Sequence, residues 1–122
     1  MTGSKDLMGL GFSWPLAQAE GYSSIAITAA GTTSADATSC DGQNSVFIMT
    51  ATGSDGIRMN TAVPLFKPIL VINTSASTGK VYPFTGGNFN GGSTDAGISV
   101  LTHSAMFLMR VSSTLWHSNL SA

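Results

Sequence analysis

Residues 67–118 carry four apolar β-type runs at close intervals: KPILVIN at 67–73, GKVYPFTGG at 79–87, NFNGGSTDAGISVL at 88–101 and AMFLMRVSSTLWHS at 105–118. Turn residues stand at every break, the pattern of an antiparallel all-β domain. In AMFLMRV, Ala105, Phe107, Met109 and Val111 share one parity and Met106 and Leu108 the other. Both sets are apolar, so both faces of this strand ask for burial. SVFIMTA at 45–51 and ILVIN at 69–73 make the same demand. The expectation is a two-layer sandwich, jelly-roll-like or immunoglobulin-like, whose second face is closed by loops or by a neighbouring subunit. Met106 and Leu108, with Phe47 and Met49, are the candidates for that subunit interface.

The other strands follow from alternation and turn signals. SSIAITA at 23–29 puts Ile25 and Ile27 on one face, residues 37–40 suit a short edge strand, and residues 56–60 put Ile57 and Met59 opposite Arg58. Asp41-Gly42 and Asp55-Gly56 mark turns, and residues 73–79 suit a polar hairpin loop. Pro64 and Pro68 pin a connection, because proline cannot serve in a central ladder. GGNFNGG at 86–92 predicts a tight corner with Phe89 turned inward.

Residues 1–20 differ in texture from residues 21–122, which hold the β-domain. Gly9, Gly11 and Pro15 interrupt Leu7, Leu10, Phe12, Trp14 and Leu16, so the segment reads as an extended N-terminal arm rather than a helix or paired strand. Exposed aromatic anchors of this kind dominate binding at interfaces, and these five residues are expected to dock on a neighbouring protein.

Composition sharpens that reading. The chain has 122 residues, enough for one core, and only 9% are charged, against about 25% in an average soluble protein. Ser, Thr, Gly and Asn fill the gap, and a formal net charge of −1 gives almost no self-repulsion. Such a surface suits a subunit of an assembly. Lys5, Arg58, Lys67, Lys80 and Arg110 are scattered, which argues against nucleic acid. No run reaches the ~18 apolar residues of a membrane span, and no secretory leader is legible, so synthesis in the cytosol is expected.

Chemistry-bearing motifs fail on inspection. GFSWP at 11–15 lacks the closing glycine of a nucleophile elbow, and Gly79-Lys80 lacks the rest of a phosphate loop. His103 and His117 stand in a polar turn and at a strand end, and the aspartates sit where Asp caps turns. Cys40 is alone and has neither a disulfide nor a zinc partner. No catalytic, cofactor or metal residue is assigned. Tyr22, Tyr82 and Trp116 would be the aromatics of a sugar platform, although the company of Tyr82 and Trp116 suits a core.

The order of several short motifs resembles a small β-domain of tailed-bacteriophage virion structural proteins. The carriers are Gly56-Ile57-Arg58-Met59, Phe66-Lys67-Pro68, Val71-Ile72-Asn73, Val81-Tyr82-Pro83, Phe89-Asn90-Gly91 and Ser112-Ser113-Thr114-Leu115-Trp116. Phe66-Lys67-Pro68 replaces that family's Pro-Gly turn, and Leu115 a polar residue. The resemblance spans about residues 25–117. It implies an oligomeric virion component: a capsid decoration or cement protein, a head fibre or knob, or a tail module. An arm and one β-domain suit a trimeric decoration protein bound to the major capsid protein on the outer surface of the mature head. The alternative is a fibre or knob that binds host-surface carbohydrate or receptor.

Overall fold

The computed structural model describes residues 23–119, and among them it contains strands and no helix. The ten strands are β1 (Ser24–Thr28), β2 (Thr38–Ser39), β3 (Val46–Thr50), β4 (Gly56–Arg58), β5 (Pro68–Asn73), β6 (Gly79–Tyr82), β7 (Asn88–Phe89), β8 (Ile98–Val100), β9 (Ala105–Arg110) and β10 (Leu115–Ser118). They form a six-stranded sheet in the order β1-β3-β5-β9-β10-β7 and a four-stranded sheet in the order β2-β4-β6-β8. The proposed arm, with Leu7, Leu10, Phe12, Trp14 and Leu16, lies outside the described residues.

The all-β class stands, but the antiparallel sandwich does not. Five ladders are parallel, among them β1–β3, β3–β5, β2–β4 and β4–β6, and three are antiparallel. From β1 to β9 each strand passes to the other sheet, so the turns at Asp41-Gly42 and Asp55-Gly56 and the loop after Asn73 are crossovers, not hairpins. Ser24 faces Val46 and Val46 faces Leu70, which sets coils of 22 and then 24 residues. The first six strands thus wind as a flattened, solenoid-like coil. It is closed where β9 runs antiparallel to β5 and β8 antiparallel to β6. The only consecutive strands that pair are β9 and β10. The doubly apolar runs have a physical reason here: parallel strands covered on both faces read as continuous hydrophobic stretches.

One core lies between the sheets. From the larger sheet come Phe47, Met49, Ile69, Val71, Met106, Leu108 and Trp116, and from the smaller Ile57, Val81, Ile98 and Val100, none more than 3% exposed. The expectation of a subunit interface at Phe47, Met49, Met106 and Leu108 is therefore corrected. Their parity points at the second sheet of their own chain, and they are at most 1% exposed. Phe84 and Phe89 pack edge-to-face with the Trp116 indole, with ring centroids 6.0 and 6.4 Å away. Arg110 stacks 4.9 Å above Phe84 and donates to the carbonyls of Thr61, Val63, Ser112 and Ser113, tying the loop before β5 to the β9–β10 turn. Phe89 is buried at the glycine corner, where Gly86 and Gly91 take φ of 91° and 78°.

Asn73 is the single fully buried polar residue among those described. Its amide nitrogen donates to the carbonyls of Ser77 (2.8 Å), Val100 (3.0 Å) and Leu101 (3.3 Å), and its Oδ1 accepts from the Ser75 N–H (3.0 Å). It thereby fixes the crossover from β5 to β6 and the end of β8. Replacement by Ala leaves those carbonyls dry, and Asn73→Ala is expected to lower unfolding free energy by about 2–4 kcal/mol, read by urea denaturation.

Two crossovers are held by carboxylates. Asp41 accepts from the N–H groups of Gln43 (2.9 Å) and Asn44 (2.7 Å). Asp55 accepts from the Thr52 N–H (3.0 Å) and hydroxyl (2.9 Å) and from the Gly53 N–H (3.2 Å). Slight desolvation pushes both acids up, but these donors outweigh it and hold both below the ordinary value of 3.8. A lowered folded pKa means stability present above that value and lost as pH falls through the folded one. Thermal midpoints should therefore decline as pH drops below about 4, and less steeply in an Asp41→Asn, Asp55→Asn double variant.

Candidate interaction surface

With the core parity fixed, the opposite parity of the larger sheet faces outward. Pairing aligns Ala26, Ile48, Ile72 and Ala105 in one row across four strands, and Ser24, Val46, Leu70 and Phe107 in the next. Pro68, Met109 and His117 make a third. Ile48 is 37% and Phe107 47% exposed, while Val46, Leu70, Ile72 and Met109 are half-buried. No acidic side chain, lysine or arginine stands in these rows. At the margin, Leu65 and Phe66 are 48% and 62% exposed in the loop that leads into β5. Phe66 holds a φ of 64°, an unfavourable value for a bulky residue, with its N–H donated to the Arg110 carbonyl at 2.8 Å.

The smaller sheet is different, because a loop of its own chain covers part of its outer face. Tyr82 lies on that face with its ring against Gly56 and Gly97, where an added Cβ would come within 2.6 and 2.7 Å of the ring. Its hydroxyl donates to the Thr32 carbonyl at 2.8 Å, and the Arg58 guanidinium donates to the carbonyls of Ser34 (2.7 Å) and Ala35 (3.3 Å). The loop between β1 and β2 is thereby strapped over the sheet, and burial pushes the Tyr82 phenol upward. Beside the strap opens a cleft of about 420 Å³, lined by Ala35, Ser39, Arg58, Asn60, Thr61 and Phe84 among others.

Cys40 is buried, and burial first, with the neighbouring Asp41 charge, pushes its thiol up to about 12, which removes it as a nucleophile. Tyr82 and Trp116 are 4% and 0% exposed, so neither offers a face to a sugar, and Tyr22 lies outside the described residues. His103 and His117 are exposed at separate places, in the turn before β9 and on β10. Among the described residues no three His, Cys, Asp or Glu gather as a metal site would require.

What the arrangement can do is bury apolar area. At about 25 cal/mol per Å², a face of this kind gains several kcal/mol against a matching surface before association costs are subtracted. The two parities of β9 are distinct as its alternation predicts, but Met106 and Leu108 face the core and Phe107 faces outward. Which parity is inward depends on where the second sheet packs, and alternation alone is symmetric. The choice is testable: Phe107→Asp should leave the domain folded by circular dichroism, whereas its neighbour Leu108→Asp should unfold it.

Comparison of the chain with known proteins gives no matching family model, no matching curated protein and no matching solved structure.

Proposed function

We propose that this protein is a structural component of a tailed-bacteriophage virion, a capsid decoration protein that binds the outer surface of the mature head as a homotrimer. The observation that carries the reading is the outer face of the larger sheet, free of acidic, lysine and arginine side chains across β1, β3, β5 and β9 and apolar at Val46, Ile48, Leu70, Ile72, Phe107 and Met109, on a chain of which 9% is charged. Such a face is costly on a protein that works alone in water and useful on one that is buried in an assembly. The partner in this reading is the major capsid protein. The arm at Leu7, Leu10, Phe12, Trp14 and Leu16 supplies a second grip, and three copies act together. The protein is made in the host cytoplasm and ends on the virion surface. No cofactor, nucleic acid, membrane or catalytic step enters.

A second reading, a head fibre or knob module that binds host-surface carbohydrate, is favoured by the cleft beside Arg58. There a half-buried guanidinium stands among the hydroxyls of Ser39, Thr61 and Thr85. The two separate experimentally. Added to shells that lack it, a decoration protein saturates at fixed stoichiometry and raises the temperature at which the shells burst, and removing residues 1–20 weakens that binding. Shells equally robust with and without the protein, together with poor adsorption of particles that lack it, would overturn the first reading in favour of the second.

A further inference from the structure

Arg58 is the one charged residue in the lining of the cleft beside the strap, and it is half-buried. A guanidinium drawn out of water is ordinarily matched by a carboxylate. Arg58 instead meets two neutral carbonyls, those of Ser34 and Ala35, and it meets both through Nη1. Nε and Nη2 form the edge of the fork that pairs with a carboxylate by two parallel hydrogen bonds. Among the described residues that edge makes no hydrogen bond. Arg110 is the contrast, because it spends Nε, Nη1 and Nη2 on four carbonyls. One of these is the carbonyl of Thr61, and Arg110 also stacks on Phe84. Both residues line the cleft, so a second positive charge acts on it from behind. The acids nearest in sequence to the lining are Asp36 and Asp41, and the Asp41 carboxylate is turned to the N–H groups of its own loop. The hydroxyls of Thr61 and Thr85, also in the lining, make no hydrogen bond among the described residues.

We propose that this cleft is a binding site for a sugar acid, whose carboxylate seats on the Nε–Nη2 edge of Arg58 and whose ring hydroxyls meet those of Thr61 and Thr85. Its volume of about 420 Å³ falls within the range of small-ligand sites, about 300–1,000 Å³. Size and donor set together select the class. A phosphate would ask for a row of backbone N–H groups or several cations around it, and a bare carboxylate would leave most of the volume to water. A polyhydroxylated ring with one carboxylate uses the charge, the hydroxyls and the space. Two bonds from Nη1 hold the guanidinium in place before the ligand arrives, which lowers the cost of ordering it. The cleft is built from the strap, β2, β4 and the segments after β4 and β6, none of which contributes to the apolar rows of the larger sheet. The site therefore stands whether or not the protein decorates a head, and under the fibre reading it names the class of sugar.

Sodium glucuronate titrated into the full chain, with glucose as its neutral counterpart, tests the site by calorimetry. One saturable site per chain is expected, with glucose bound about tenfold or more weakly and the preference reduced by added salt. Arg58→Gln is expected to abolish the preference for glucuronate over glucose. Should that variant lose the strap as well, as a fall in its thermal midpoint would reveal, the Thr61→Val, Thr85→Val double variant leaves both strap bonds in place. It is expected to weaken glucuronate by about fivefold or more with the midpoint unchanged. Glucuronate bound no better than glucose overturns the proposal, as does binding indifferent to both variants. Acetate bound as tightly as glucuronate also overturns it, since the cleft would then take any carboxylate. A glucuronate oligosaccharide that binds more tightly than the monosaccharide places the sugar acid in a polymer, equal binding makes it a free one, and both uphold the site. Shell saturation is read independently, so loss of either result leaves the other standing.

Discussion

A parallel ladder forbids the chain from turning straight back. After each strand it must leave the sheet, cross over and return beside the strand it left. Most of what is distinctive in this molecule follows from that obligation. β1, β3 and β5 lie side by side and parallel, and the excursions between them supply β2 and β4, which with β6 build the second sheet. The excursions are short, so the second sheet stays close enough to share one core with the first. The sharp corners they need are the places where Asp41, Asp55 and Asn73 spend their side chains on backbone groups.

The same obligation explains how much could be read from residue order alone. The alternation of β9 and the buried Phe89 corner were legible because they depend on local periodicity and on glycine chemistry. So were the capping aspartates and the burial of Trp116 and Cys40. Strand direction was not. Asp41-Gly42 and Asp55-Gly56 are good turn signals, but a turn that returns a strand to its own sheet and one that delivers it to another use the same residues. The uninterrupted apolar character of SVFIMTA and ILVIN held a clue, being more typical of parallel than of antiparallel strands. Assigning Phe47, Met49, Met106 and Leu108 to an interface followed from taking their parity as the outward face of the sandwich, when it is the one that meets the second sheet.

Charge is used sparingly and locally. Arg110 and Arg58 are both engaged with backbone carbonyls, each joining a loop to the sheet beneath it. With so few charged groups, solubility rests on Ser, Thr, Asn and Gly, and these give weak protection against self-association. The two outer faces therefore differ in kind. One is partly covered by a strap of its own chain, and the other presents Ile48 and Phe107. That asymmetry leaves one side of the molecule apolar and open to solvent.

The coil also fixes how the molecule grows. In the second coil Val46 stands opposite Leu70 and Gly56 opposite Lys80, an advance of 24 residues in both sheets, whereas the first coil is shorter, Ser24 facing Val46 and Thr38 facing Ile57. One such unit is therefore a self-contained layer, contributing one strand to each sheet and adding about 4.8 Å of height. Lineages that duplicate it can thicken the body in whole steps while leaving both ends as they are. Insertions of any other length must be absorbed in the corners, which predicts where length variation among descendants of this chain accumulates.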